Sequence, residues 1–186
     1  MNELAGSIVT YTGRRFWPLN LDPKQINALD ICHALSQQCR FTGHTRNFYS
    51  VAEHSCRVHD TLEPKYKLCG LLHDATEAFL IDLPTPLKET QDLEVFKEVE
   101  SILWTAICEK FELDPDPNME REIKKADKIL FLTEIRDLMP IKGGIIEQYS
   151  ANGYKPLEAR IVSWTPAQAK FAMIDRLEKL GIKVEQ

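Results

Sequence analysis

Apolar residues recur along most of this chain at three- and four-residue intervals, the period of a helix with one buried face. Ile26, Leu29, Ile31, Cys32, Ala34 and Leu35 keep that spacing behind Pro23, which predicts a helix from Pro23 through Cys39. After the loop RFTGHTRNFY, Ser50 followed by Glu53 has the form of a capping box. The helix it starts carries Val51, His54, Val58 and Leu62 on one face. Pro64 opens a third helix running to about Leu80, stopped by the two prolines of DLPTPLKE. Leu93 to Phe111 predicts a long amphipathic helix with Val95, Phe96, Val99, Ile102, Leu103, Ala106 and Ile107 as its core stripe. Met119 to Met139 predicts another, interrupted by Pro140 and the KGG turn. Glu147 to Val162 is weakly patterned and reads as a surface excursion, after which Thr165 and Pro166 cap a last helix to about Leu180. Near the N-terminus VTYTG suggests a short strand. The pattern predicts an all-α protein, one domain of about six or seven helices, with its core over 13–138 and a helical extension over 139–186.

Composition narrows the function class. At 186 residues the chain is long enough to bury one good core, and 44% apolar with 27% charged residues is ordinary for a globular protein. A net charge of -5 argues against binding polymeric nucleic acid or a membrane surface, since both need a basic face. The five cysteines are odd in number and never spaced C-x-x-C, which suits buried, reduced thiols in the cytoplasm better than a disulfide framework. No signal-peptide pattern and no apolar run of about 18 residues is present, so a cytoplasmic protein is expected.

Candidate chemistry begins in LCGLLHDATEAF, where His73 and Asp74 stand side by side behind three leucines. On a continuous helix their side chains would diverge by about 100° and could not easily satisfy each other. His54 sits between Val51 and Val58, and Asp127 is an acid set into the apolar run KKADKILFLTE. Taken singly, such residues are more often hydrogen-bonded core groups, and Asp127 could simply pair with Lys124 or Lys128. Taken together, an unsatisfied buried polar group costs about 1–3 kcal/mol, so four of them in apolar helical runs call for a shared partner. Two imidazoles and two carboxylates from three helices would make a mixed nitrogen and oxygen metal site.

The order His54, His73-Asp74, Asp127 resembles the HD-domain metal-dependent phosphohydrolases, an all-helical superfamily named for its His-Asp doublet. The blocks RFTGHTRNFYSVAEHS, LLHDATEAFLIDLPTPLK and KKADKILFLTE resemble the subfamily of bacterial deoxyribonucleoside 5'-monophosphatases, with small phage dATP triphosphohydrolases nearby. The resemblance spans Gly13 to Leu138. It implies that His54, His73, Asp74 and Asp127 hold one divalent transition metal: Co, Mn, Zn, Fe or Ni rather than Mg. It also implies catalytic roles for Glu77, on the His73 face about 6 Å along the helix, and for Asp82. Arg40 would contact phosphate, Lys88 would face the same pocket, and Phe41 would be the platform for sugar or base, a place where some relatives carry Trp.

Further aromatic and basic residues within reach are Arg14, Arg15, Phe16, Trp17, His44, Arg46, Phe48 and Tyr49, for which core packing or solvent is the commoner role. His33 and His59 read as structural. The alarmone hydrolases of the superfamily carry a second acid where this chain has Ala78, which turns the expectation toward simpler nucleotides. The expected activity is a 5'-nucleotidase releasing phosphate from deoxynucleoside monophosphates. The alternatives are a compact dNTP triphosphohydrolase or a non-catalytic nucleotide-binding protein. A homo-oligomer, with a face on the 93–111 helix or the last helix, is the expected assembly.

Overall fold

A computed structural model describes residues 6–140 and 144–185. Helix α2 (Val51–Thr61) lies at the centre, packed against α1 (Ala28–Gln37), α3 (Lys67–Leu72), α7 (Pro117–Leu138) and α9 (Pro166–Lys179). Its apolar side joins Phe16, Ile31, Leu35, Leu71, Leu72, Leu103, Ile107 and Met173 in one core, so the expected all-α bundle is what forms. Ala169, Met173 and Leu177 bring α9 into that same core. The only strands among the described residues are β1 (Ile8–Val9) and β2 (Arg15–Phe16), an antiparallel pair that places Phe16 against Phe79. Among the described residues no helix is long and apolar enough to cross a membrane.

Several elements differ from expectation for local reasons. The segment after Pro23 is one 3-10 turn, Pro23–Gln25, and α1 starts only after Asn27, whose side chain accepts from the Leu29 and Asp30 amides. Ser50 caps α2 as expected, accepting from the Glu53 amide at 3.0 Å. Glu53 does not close the box: its carboxylate is drawn to Arg57 at 2.6 Å and to the Trp164 amide at 2.8 Å. The full capping box is at Thr165 and Gln168 on α9. In α6 (Glu94–Lys110) Leu103, Ala106 and Ile107 are buried, whereas Val95 and Ile102, read as core, are 68% and 58% exposed. The weakly patterned stretch contains a short helix, α8 (Ile145–Ala151), before it becomes irregular. Lys142 and Gly143 of the KGG turn lie outside the described residues.

The expected third helix is broken where the chemistry lies. A 3-10 turn at Pro64–Tyr66 leads into α3, which stops at Leu72, and α4 (Glu77–Leu80) starts after four intervening residues. Between them, amide bonds run from Ala75 to the Leu72 carbonyl (2.9 Å) and from Glu77 to the Asp74 carbonyl (3.0 Å). This i to i+3 winding, about three residues per turn, eclipses residues three apart. It carries Glu77 over Asp74, not along the His73 face that a continuous helix would give. α3 can approach α2 closely because position 70 is glycine: a Cβ there would meet Leu62 Cδ1 at 2.1 Å. A short helix α5 (Thr85–Lys88) then follows Pro84.

Candidate metal centre

α2, the turn after α3, and α7 converge on one group of side chains. Ligand atoms of His54, His73 and Asp74 lie within 4.8 Å of one another, a group that could hold a metal ion. His73 and Asp74 converge at their tips, with Nε2 3.2 Å from Oδ1. Asp127 Oδ1 is 3.1 Å from His54 Nε2. Asp127 thus borders the group through His54 and stands outside the three-residue cluster itself. It does not pair with Lys124 or Lys128, which turn to Glu120 and to the ring of Tyr154.

The two imidazoles are oriented from behind. His54 Nδ1 is 2.6 Å from Glu134 Oε1, and His73 Nδ1 is 2.8 Å from the Gly70 carbonyl. A carbonyl only accepts, so His73 carries its proton on Nδ1 and turns the Nε2 lone pair toward the group. His54 is fully buried and its Nε2 has no hydrogen-bond partner. An orphaned imidazole nitrogen facing a second imidazole and a carboxylate is the donor set a transition ion takes. The residues therefore fit such an ion.

Glu134 is the residue that sequence reasoning missed. Completely buried on α7, it also accepts from the Tyr49 hydroxyl at 2.9 Å and lies 3.4 Å from Arg40 Nε. Burial alone would raise its carboxyl, but Arg40 and His54 hold it down at about 2. Burial and Arg40 push the His54 imidazole down, and the facing Glu134 and Asp127 carboxylates outweigh both, raising it to about 9. A cation at Nε2 would take the place of the proton that faces Asp127 there. Asp127, despite burial, is kept well below the usual carboxylate range by His54, His73 and Arg40.

Arg40 reaches Asp74 Oδ2 at 3.5 Å as well as Glu134, and these two carboxylates with Asp127 outweigh its burial and fix its charge. Its loop is pinned at both ends. Arg40 N–H donates to the Tyr49 carbonyl, and the Arg46 amide donates to the Leu138 carbonyl at the end of α7. Phe41 (φ 52, ψ 32) and Thr42 (φ 52, ψ 29) both adopt left-handed backbone, which costs an L residue about 1–2 kcal/mol. The turn is thereby held where the aromatic ring faces α7.

Two cavities flank the group. One, of about 820 Å³, is lined by Arg40, Phe41, Asp82, Asp127 and Phe131. The other, of about 410 Å³, is lined by His73, Asp74, Glu77, Lys88 and Trp104. Lys88 and Arg40 therefore face different cavities, contrary to expectation. Lys88 spans Glu100 (3.0 Å) and Glu77 (3.6 Å). Glu77 Oε2 is buried without a partner, and burial together with Asp74 and Asp82 pushes its carboxyl up to about 9 against Lys88 and Arg40. Burial also raises Asp82, against the pull of Arg40. Gln38 joins both: its amide donates to the Glu77 carbonyl (2.8 Å) and its oxygen accepts from the Asp82 amide (3.3 Å).

Of the other residues considered, Phe16 and Tyr49 are buried, and His44 lines the larger cavity. His33 stacks on Tyr11 at 3.7 Å, and His59 binds Asp60 at 2.8 Å. All five cysteines are free thiols, with Cys39 and Cys108 only half-buried.

No family model matches the chain. Over 131 residues it is 38% identical to YfdR of Escherichia coli (strain K12), an uncharacterized protein, a match covering 70% of this chain and 71% of that one. The chain belongs to the YfdR family. It is also 35% identical over 130 residues to the uncharacterized Rhodobacter capsulatus protein RCAP_rcc00048, covering 63% of this chain and 65% of that relative.

Proposed function

We propose that this YfdR-family chain is a metal-dependent phosphohydrolase of deoxynucleotides with an HD-type site, a 5'-nucleotidase that releases phosphate from deoxynucleoside monophosphates in the cytoplasm. The observation that carries the reading is the pair of back-anchored imidazoles. Glu134 and the Gly70 carbonyl turn two Nε2 atoms toward Asp74, beside a charged arginine and between two cavities. Asp127 would complete the ligand set from α7.

A divalent ion there supplies positive charge to phosphate oxygens and acidifies water. Arg40 presents a planar guanidinium to the phosphate, its orientation set by Glu134 and Asp74. Burial, Asp74 and Asp82 keep Glu77 protonated on its own. With that charge offset by a divalent ion held by Asp74, the ionised Glu77 would take a proton at Oε2, the oxygen without a partner, while Lys88 steadies Oε1. Asp82 lies in the other cavity, on the Arg40 side, where a carboxyl with a raised pKa can protonate the departing 5'-oxygen. The two imidazoles in the ligand set favour Mn, Co, Fe, Ni or Zn over Mg.

A second reading, a dNTP triphosphohydrolase, is favoured by Lys97 and Lys124 beside Lys88 in the smaller cavity, where additional phosphates could lie. Product analysis separates the two. The nucleotidase releases orthophosphate from dNMPs, the triphosphohydrolase releases triphosphate from dNTPs, and hydrolysis of neither class refutes the phosphohydrolase reading.

A further inference from the structure

The larger cavity holds two aromatic rings that the metal group does not need. Phe41 stands in the turn after Arg40, and Phe131 lies on α7 one helical turn beyond Asp127. Their rings are 26° from parallel with centroids 6.0 Å apart. A planar ring between two faces needs ~7 Å, twice the ~3.5 Å contact distance of carbon atoms. The pair is therefore at least about 1 Å short of admitting one and would have to open by that much. Both residues are half-buried and line the cavity, so part of each ring is accessible from it. The Arg40 guanidinium carbon lies over the Phe41 ring, 5.6 Å from its centroid, which puts the phosphate-binding charge beside the ring pair. Lys128, which also lines the cavity, lies over the Tyr154 ring at 5.3 Å. In the smaller cavity Trp104 offers a ring too, but Lys88 is ion-paired there with Glu77 and Glu100.

We propose that Phe41 and Phe131 form an aromatic clamp for a nucleobase, with the nucleotide's phosphate directed to Arg40, so that Phe131 determines the preference for nucleotides over sugar phosphates. The clamp rests on the phosphohydrolase reading only for the placement of the phosphate end. Stacking between two rings needs no base-edge hydrogen bond, and base–aromatic stacking energies correspond to roughly 5–150-fold in affinity.

The test is calorimetric titration of the full chain, in manganese buffer and carrying Glu77→Ala to slow turnover, with dAMP and with 2-deoxyribose 5-phosphate. The clamp predicts that dAMP binds roughly 5–150-fold tighter than the sugar phosphate. Phe131→Leu should erase that preference while sugar-phosphate affinity stays the same, which also shows that the variant is folded. Phe131→Tyr and Trp104→Leu should both preserve it. The proposal is overturned if dAMP has no advantage, if neither ligand binds, if the advantage survives Phe131→Leu, or if Trp104→Leu removes it. A clamp that behaves as predicted in a protein whose wild type releases no phosphate would sink the nucleotidase reading alone.

Discussion

Glu134→Gln probes the least obvious part of the site. The glutamate sends Oε1 to Tyr49 and His54, and Oε2 to Arg40. In the glutamine variant one oxygen still accepts from the Tyr49 hydroxyl and His54 Nδ1–H, but the amide nitrogen then faces Arg40, donor against donor. The Arg40–Glu134 contact is a buried ion pair at 3.4 Å, and removing one charge of such a pair costs about 3–5 kcal/mol, so stability should fall by about that amount. For a chain of this size that lowers Tm by roughly 6–20 °C. The neutral amide also leaves His54 a poorer donor, and loss of a carboxylate behind a metal-binding histidine typically weakens metal affinity about 10–100-fold. Competition between protein and a chelator for manganese, read beside a thermal melt, measures both effects. If Glu134→Gln lowers Tm but holds manganese as tightly as wild type, Glu134 is a core ion-pair partner with no hold on the metal group.

Glu77→Ala should retain metal and nucleotide binding while hydrolysis falls by about 10²–10⁴; loss of the metal as well would make Glu77 a ligand. Ile81 (φ 77, ψ 151) occupies backbone space that suits only glycine and is 59% exposed. Ile81→Gly should therefore gain about 1 kcal/mol and raise Tm by about 2–4 °C, and a lower Tm would show that the Ile side chain contributes more than its strain costs. Burial works to raise the Asp137 carboxyl, but Arg136, the Ile161 amide and Arg160 hold it at about 2. A depressed folded pKa stabilises fully above the unfolded value near ~4, and that contribution is lost as pH falls toward 2. Acid unfolding of Asp137→Asn, followed by circular dichroism, should show a shallower loss between those limits, and an unchanged slope would remove Asp137 from the account.

Much of the site could be read from polar residues stranded in apolar runs: His54, His73, Asp74 and Asp127 were visible for that reason. Glu134 carries the same signal in ILFLTEI, seven positions beyond Asp127 and hence on the same side of α7. Next to Thr133 and before Ile135 it nonetheless reads as an ordinary polar position of an amphipathic helix, so the pattern alone does not single it out. The tightened turn at 73–76 was not legible, since Asp-Ala-Thr-Glu does not by itself forbid a continuous helix. The helical period alone also could not tell which apolar residues of α6 meet a neighbour. Leu103 and Ile107 do, while Val95 and Ile102 continue the stripe into solvent. The resemblance places Lys88 and Arg40 on one pocket, but which cavity each enters depends on α5 and α6, far from Arg40 in sequence.

The central claim is tested most directly by elemental analysis of the manganese-loaded chain, wild type against Asp74→Ala, with phosphate release from dNMPs read on the same samples. One ion per chain in wild type, none in the variant, and hydrolysis only where the ion is present is the result the account predicts. Wild-type protein that takes up no ion, or that hydrolyses dNMPs equally well without it, would contradict it.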